Sequence, residues 1–540
     1  MPPAAAPASD RPAAGTSGGS RAATLVAAGI LLSRLAGLVR ERVLAHYFGS
    51  AETADAVRAA FRIPNLLQNL FGEGALSASF IPVYARLLAQ GNREESRRVA
   101  GAVAALLAMA VSVLVLAGVL ATPFIIDLIA PGFSGDRRAL TIVLVRIFFP
   151  GAGMLVLSAW CLGVLNSHGR FLLSYSAPVA WNAVLIATLL AFGGRQGVEH
   201  LAVTYAWGSV VASTVMFAVQ LPAVLRLTHR VPLRPRLQSP EVRTVARNFG
   251  PVFVTRGVVQ LSAYVDQFIA SWLPIGSVAL LGYAQNLSLL PVSLFGMAVS
   301  AAELPAMSGM VGIADDVAST LRARLNDGLR RIAFFIVPSA MAFVALGDVI
   351  AAAIYRTGRF TTADSLWVWA ILAGSAVGML ASTLGRLYSS AYYALRDTRT
   401  PLRFAALRVA LTTGLGYLCA LPLPRLLGID PRWGMAGLTA SAGAAGWVEF
   451  TLLRRSLTAR VGSTGVPARL VASLWGAAVV AAAAAFGAEH LMAIAHPILR
   501  AAVVLPLYGL LYLGFTSAMG VPEAGGLLRA VRRRLGGAPG

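Results

Sequence analysis

The sequence predicts an all-α polytopic membrane protein with about fourteen transmembrane helices. Composition is the first reason. Of 540 residues, 57% are hydrophobic and 13% charged, with mean hydropathy +0.71, too little charge to cover a soluble protein of this length. Apolar stretches long enough to cross a bilayer are the second; they recur about fourteen times. The third is the arginines, which alternate between connections as membrane orientation demands. A net charge of +22 and a pI of 11.2 raise the question of nucleic acid. The charge is spread over loops rather than gathered in one soluble patch, so no nucleic-acid partner is expected.

Residues 1–21 are rich in Pro, Ala, Gly and Ser and read as a disordered tail. They lack the order of a cleaved signal, so the first apolar stretch stays as a helix. The spans follow at approximately 22–47, 56–90, 98–130, 139–166, 175–194, 201–225, 248–273, 278–309, 328–355, 364–394, 402–421, 434–453, 467–487 and 498–519. The first two are polar enough to escape a hydropathy window. One set of connections holds roughly 27 arginines with the N-terminal tail, the alternate set roughly 7, which predicts that the first set and both termini are cytoplasmic. The longest basic connection, 226–247, separates an N-lobe over 22–225 from a C-lobe over 248–456. Two further spans over 467–519 and a basic tail over 520–540 complete the chain. The last two spans carry almost no polar residues and read as lipid-facing additions. Cys161 and Cys419 lie in apolar stretches and read as packing residues. No lysine occurs, which genome composition explains.

The polar residues concentrate in 33–82. Charge in the membrane is expensive unless it faces a wet cavity or a partner. On a helix Ser33 and Arg40 lie seven apart, as do Arg34 and Glu41, with Gly37 between the two rows. The next helix carries Arg58, Arg62, Asn65, Asn69 and Glu73 at steps of three and four, preceded by Asp55. Facing polar stripes with a glycine gap suit an anion chamber. Arginine grips phosphate with a planar fork and stays ionised, so Arg34 and Arg40 are the main anchors and Arg58 and Arg62 secondary ones. The competing reading pairs Arg34 with Glu41 or Asp55 to hold the lobe together. Gly72 and Gly74 read as packing or hinge positions, and Pro64 and Pro82 permit kinks.

The run SRLAGLVRERVLAHYFG, followed by ADA and AFRIPNLLQNLFGEGALSASFIPVY, resembles the N-terminal signature of the MurJ (MviN) lipid II flippases of the multidrug/oligosaccharidyl-lipid/polysaccharide exporter superfamily. The likeness continues through LNSHGRFLLSYSAPVAWN, NFGPVF, VDQFIASWLPIGSVALLGYAQNL, YRTGRFTTAD and YALRDTRTPLR. It implies two six-helix lobes around a central cavity, with the final helix pair forming a lipid-accessible groove. The implied activity is non-enzymatic: flipping of undecaprenyl-pyrophosphate-linked lipid II by alternating access, in peptidoglycan biosynthesis, cell wall biogenesis and cell shape. The implied setting is the bacterial inner membrane, among membrane lipid and the cell-wall synthesis and division machinery. Carried over by position, the functional set falls on Ser33, Arg34, Arg40 and Glu41, then Asp55, Asn65 and Glu73. The chain departs from relatives at Gln68, Asn69, Gln285, Asn286 and Leu289, where charges are frequent. That leaves open another lipid-linked oligosaccharide as cargo.

No cofactor is expected beyond coupling to Na+ or H+. Asp266 sits deep in the seventh span, with Thr255 and Ser262 on its face, and Asp397 and Thr413 follow in the C-lobe. Carboxylate and hydroxyl oxygens suit a hard cation such as sodium. Asp266 reads equally as a hydrogen-bonded carboxyl, and Asp397 equally as a turn residue or helix cap. Ser375, Ser382, Arg386, Ser389 and Tyr393 share one face of the tenth span and read as cavity wall. A drug exporter calls for an acidic, aromatic cavity, against the arginines here. A membrane glycosyltransferase calls for catalytic carboxylates on long outer loops, which this chain lacks. A scaffold without transport is the third alternative.

Overall fold

The computed structural model describes residues 16–228, 232, 239–262, 264–300, 303, 307, 314–492 and 495–535, some of them by backbone alone. Among these residues the chain is helical throughout, with no strand. Helices α1 (Thr16–Phe48), α2 (Glu52–Asn69) and α3 (Ser77–Ala89) come first, then α4 (Arg93–Ile129), α5 (Gly135–Ser167), α6 (Phe171–Phe192) and α7 (Val198–Thr228). After them come α8 (Pro240–Ser262), α9 (Val265–Ala270), α10 (Ser277–Pro291), α11 (Ala314–Ala345), α12 (Gly347–Tyr355) and α13 (Thr362–Ala394). The chain closes with α14 (Arg399–Ala420), α15 (Pro422–Leu426), α16 (Gly434–Val461), α17 (Ala468–Met492), α18 (Pro497–Ala518) and α19 (Pro522–Leu535).

A helical segment occupies the place of each expected span, and 10 of the described helices are long and apolar enough to cross a membrane. Those falling short include α1 and α2, whose arginines and acids lower their apolar content. A helix exposing such groups in lipid pays heavily, so a hydropathy threshold passes over helices that carry a polar face.

Two helices contain π-helical turns that sequence reading missed. Leu70–Leu76 joins α2 to α3, and Val292–Met297 continues α10. A π turn widens the helix and interrupts its regular hydrogen bonds, often near functional sites. The first contains Gly72 and Gly74, the glycines read above as packing or hinge positions.

Contacts divide the chain into two compact units whose borders differ from the lobes drawn from the sequence. The first comprises Met1–Arg40, Phe61–Thr122 and Val143–Gln260; the second comprises Glu41–Ala60, Pro123–Ile142 and Leu261–Gly540. Residue 40 therefore divides α1, and residue 60 divides α2.

The first unit buries Phe80, Tyr84, Val99, Trp160, Val164 and Leu165 in one apolar cluster. The second is built on close helix crossings. A Cβ on Gly378 of α13 would overlap the backbone of Gly443 on α16, so only glycine lets these two helices touch backbone to backbone. Helix α18 is fixed by two phenols: Tyr508 donates to the carbonyl of Pro338 and Tyr512 to that of Phe334, both at 2.8 Å. Each such bond contributes about 1 kcal/mol. Leu510, Val479, Val480 and Phe486 on α17 and α18 stay exposed, as a lipid-facing pair requires.

Candidate functional site

In the first unit, Ser33 and Arg40 are half-buried and Arg34 is exposed. Arg34 makes no hydrogen bond or ion pair among the described residues. Arg40 is set against aromatic rings, its guanidinium carbon 4.9 Å from the Trp181 centroid and 5.6 Å from that of Phe61. Ring stacking uses the face of the guanidinium, while in-plane N–H groups remain the part that recognises phosphate. The aromatic backing is itself held. Trp181 donates its indole N–H to Ser213 Oγ at 3.2 Å, and Phe61 meets Phe148 edge-on at 5.4 Å. Arg62, Asn65 and Gln68 are half-buried along α2, and Asn69 is exposed. The side chains of Glu73, Thr255 and Ser262 lie outside the described residues.

The second unit gives Glu41, Asp55 and Arg58 a job different from the ligand contacts that spacing suggested. Glu41, 4% exposed, is ion-paired with Arg58. The Arg58 guanidinium lies 4.3 Å from the Tyr283 ring centroid, in space left by Gly282, where a Cβ would stand 3.2 Å from Arg58 Cδ. Asp55 is fully buried. Its carboxylate accepts the backbone N–H groups of Gly276 and Ala279, each at 2.8 Å, and faces Arg137 Nη1 at 3.4 Å. Gly276 takes φ +92° at the start of α10, so Asp55 caps that helix as an anion at its N-terminus. These three side chains are committed to structure.

Arg42, beside Glu41, donates to the carbonyls of Ala353 and Ile354, at 2.6 and 2.7 Å, and so satisfies the end of α12. His46 Nδ1 meets Thr357 Oγ1 at 2.8 Å, and Ser50 donates to Asp364 at 2.5 Å. The anchoring of residues 41–50 is continuous.

The three residues considered for sodium do not form one site. Asp266 is half-buried on the six-residue α9 and has a partner within the protein. Asp397 accepts the backbone N–H groups of Arg399 and Thr400 and pairs with Arg460 at 2.8 Å. It is the start signal of α14, the helix-cap alternative. The Thr400 backbone bond, the Thr400 hydroxyl and Arg460, in that order, hold its carboxyl well below the usual range. Thr413 is exposed and donates to the Val409 carbonyl. It stands fourteen residues inside α14, a rise of about 21 Å, too far for Asp397 and Thr413 to share an ion. Among the described residues no three His, Cys, Asp or Glu side chains group as a metal site.

The expected cavity-wall face on α13 is polar in the structure. Ser375, Ser382 and Ser389 are half-buried and Arg386 and Tyr393 exposed. Two residues outside the sequence reading lie opposite: Arg408 on α14 and Glu449 on α16, ion-paired at 3.3 Å. An apolar pocket of about 190 Å³ lined by Phe71, Val103, Leu107, Val245 and Phe249 has no group to hold a pyrophosphate.

The model of the family described as lipid II flippase MurJ matches residues 44–502. The chain belongs to the MurJ family. It is 32% identical over 524 residues to the lipid II flippase MurJ of Burkholderia cenocepacia, covering 93% of this chain and 98% of that relative. It is 32% identical over 435 residues to the probable lipid II flippase MurJ of Rhizobium meliloti, covering 79% and 78%. Among solved structures, a lipid II flippase MurJ in an inward closed conformation matches with TM-score 0.74 and 23% identity, covering 92% of this chain and 98% of that one. An inward-facing multidrug resistance MATE family transporter of the MOP superfamily matches with TM-score 0.63 and 16% identity, covering 81% and 98%. MurJ is a flippase family and not a family of catalytic enzymes. The MurJ model begins at Leu44, after Arg34 and Arg40, and takes in Asp55, Arg62, Asn65 and the α13 face.

Proposed function

We propose that this chain is a lipid II flippase of the bacterial inner membrane, carrying the pyrophosphate-linked precursor from the cytoplasmic to the outer leaflet by alternating access. Membership of the MurJ family supports the cargo class. The observation that carries the mechanism is Arg34, a permanent cation on the first helix that makes no ion pair among the described residues, while Glu41 and Asp55 are each paired with another arginine. An arginine in a membrane helix with its nearest acids committed is poised for an external anion. Arg40, backed by Trp181, is the second anchor, and Arg62 and Asn65 extend the polar row.

Liposomes carrying the protein and fluorescent lipid II test this. Arg34→Ala combined with Arg40→Ala should cut flipping at least tenfold with the folded yield unchanged, since each charge-assisted contact contributes roughly 1.5–3 kcal/mol. Full transport by that double variant would remove the anion chamber. A neighbouring reading, another lipid-linked oligosaccharide as cargo, is favoured by the neutral Gln68, Asn69 and Asn286. Competition between unlabelled lipids separates the two.

Coupling to Na+ or H+ centres on Asp266, an acid of the seventh span, where an ionisable group within a membrane segment marks function or a partner. Both termini are cytoplasmic in this reading. Cysteines placed at Ser134 and Ser239 should label from opposite sides of the membrane.

A further inference from the structure

The second unit contains a cluster of charges that the proposed chamber does not use. Arg386 lies eight residues before the end of α13, Arg408 nine residues after the start of α14, and Glu449 twelve before the end of α16. At 1.5 Å per residue Arg386 stands about 12 Å inside α13, while Arg408 is five residues from Arg403 and Glu449 five from Arg454, about 8 Å along each helix. Arg408 is neutralised by Glu449 at 3.3 Å. Arg386 is within electrostatic reach of both, yet its side chain is exposed and makes no hydrogen bond or ion pair among the described residues. The cluster thus holds one positive charge in excess.

The bland explanation makes Arg408–Glu449 a staple between α14 and α16, with Arg386 snorkelling to an interface. The surroundings of Arg386 disagree. Ser382 and Ser389 share its face at helical spacing, their hydroxyls donating to the Met379 and Gly385 carbonyls of the same helix, so Arg386 stands in a polar row rather than on a purely apolar face. Glu449 side-chain exposure is 14% against 38% for Arg408, so the cation of the pair is the more accessible partner.

We infer that Arg386 and Arg408 form a second oxyanion-binding site, with Glu449 as its resident counter-ion, that holds a phosphate or carboxylate group. Resting on the proposed lipid II activity, the source is an acidic group of the cargo; a phospholipid headgroup offers the same chemistry. Glu449 gives the site a signature that a staple lacks. Removing its charge frees Arg408 and strengthens anion binding, whereas removing Arg386 weakens it.

The test measures binding of fluorescent lipid II to the full chain in phosphatidylcholine nanodiscs, with binding of fluorescent phosphatidylglycerol as a parallel arm. Thermal midpoints are recorded for each variant. Arg386→Gln should weaken lipid II binding about tenfold, the effect of one lost charge-assisted contact, and Glu449→Gln should tighten it severalfold. Because Glu449→Gln also loosens α14 from α16, tighter binding with a lowered thermal midpoint still supports the site. The same opposed pattern in the phosphatidylglycerol arm alone supports the site with a headgroup as its occupant and removes the lipid II reading. If the wild type binds lipid II and both variants bind within twofold of it, the second site is overturned and the proposed function stands. If the wild type binds neither lipid, both fall.

Discussion

Arg34 and Arg58 are the same residue type in the same polar stretch, and the structure uses them in opposite ways. Arg58 is locked between Glu41 and the face of Tyr283; Arg34 is exposed and without an ion pair among the described residues. The change of use comes at residue 40, where contacts assign the chain to a different unit. Before it, Arg34 is left without an ion pair among the described residues. After it, three arginines packed around this stretch are matched: Arg42 to helix-end carbonyls, Arg58 to Glu41 and Arg137 to Asp55. Charge in a membrane protein thus identifies a binding surface only where its counter-charges are already taken.

The largest effect that sharpens this contrast belongs to Asp55→Ala. It strips Arg137 of its buried partner and uncaps α10, at a cost of roughly 3–5 kcal/mol. Folded yield in detergent should collapse, and near-normal yield would refute the structural role. Next is Arg58→Ala, which removes the buried Arg58–Glu41 pair and the stacking on Tyr283 and should lower the thermal midpoint by several degrees. The charge-swapped pair Glu41→Arg with Arg58→Glu should recover part of that loss; an equally unstable swap would show that the ring stacking on Tyr283 matters more than the pairing. Arg34→Lys should leave the thermal midpoint unchanged and reduce flipping less than Arg34→Ala, because the ammonium keeps the charge and loses the fork.

Asp266→Asn comes after these. It should keep the shape of α9 and abolish the dependence of transport on the ion gradient, while exchange down a lipid gradient continues. Wild-type sensitivity to sodium, pH and membrane potential in this variant would make Asp266 structural. The smallest effect concerns Asp397. Its carboxyl titrates below the unfolded value of about 3.9, so its contribution is present above that pH and lost as pH falls through the lower folded value. The difference in thermal midpoint between wild type and Asp397→Asn should therefore be constant from pH 5 to 8, and a change of that difference within this window would contradict the cap.

The helical class and the places of the spans were legible in the sequence, because apolar length is a local property. Partners remote in sequence were not. Asp55 reads as part of a polar stripe until Gly276, Ala279 and Arg137 are seen around it. Arg58 looks like another anchor because nothing in its spacing reveals that Glu41, seventeen positions earlier, faces it. Asp397 carried its own clue, since a carboxylate two and three residues before backbone N–H groups is a local cap signal. Glu449 had one as well: it is the single charge in the apolar run 434–453, a pattern that marks function or a partner.

The bare-backbone crossing at Gly378 and Gly443 has a practical use. Two helices in such close contact have no room to slide or rotate past each other, so α13 and α16 move as one body. Spin labels at exposed sites on the two helices should give a separation that is the same in every transport state. That fixed separation is an internal ruler against which the movement of any other helix can be calibrated, and its loss would report unfolding rather than turnover.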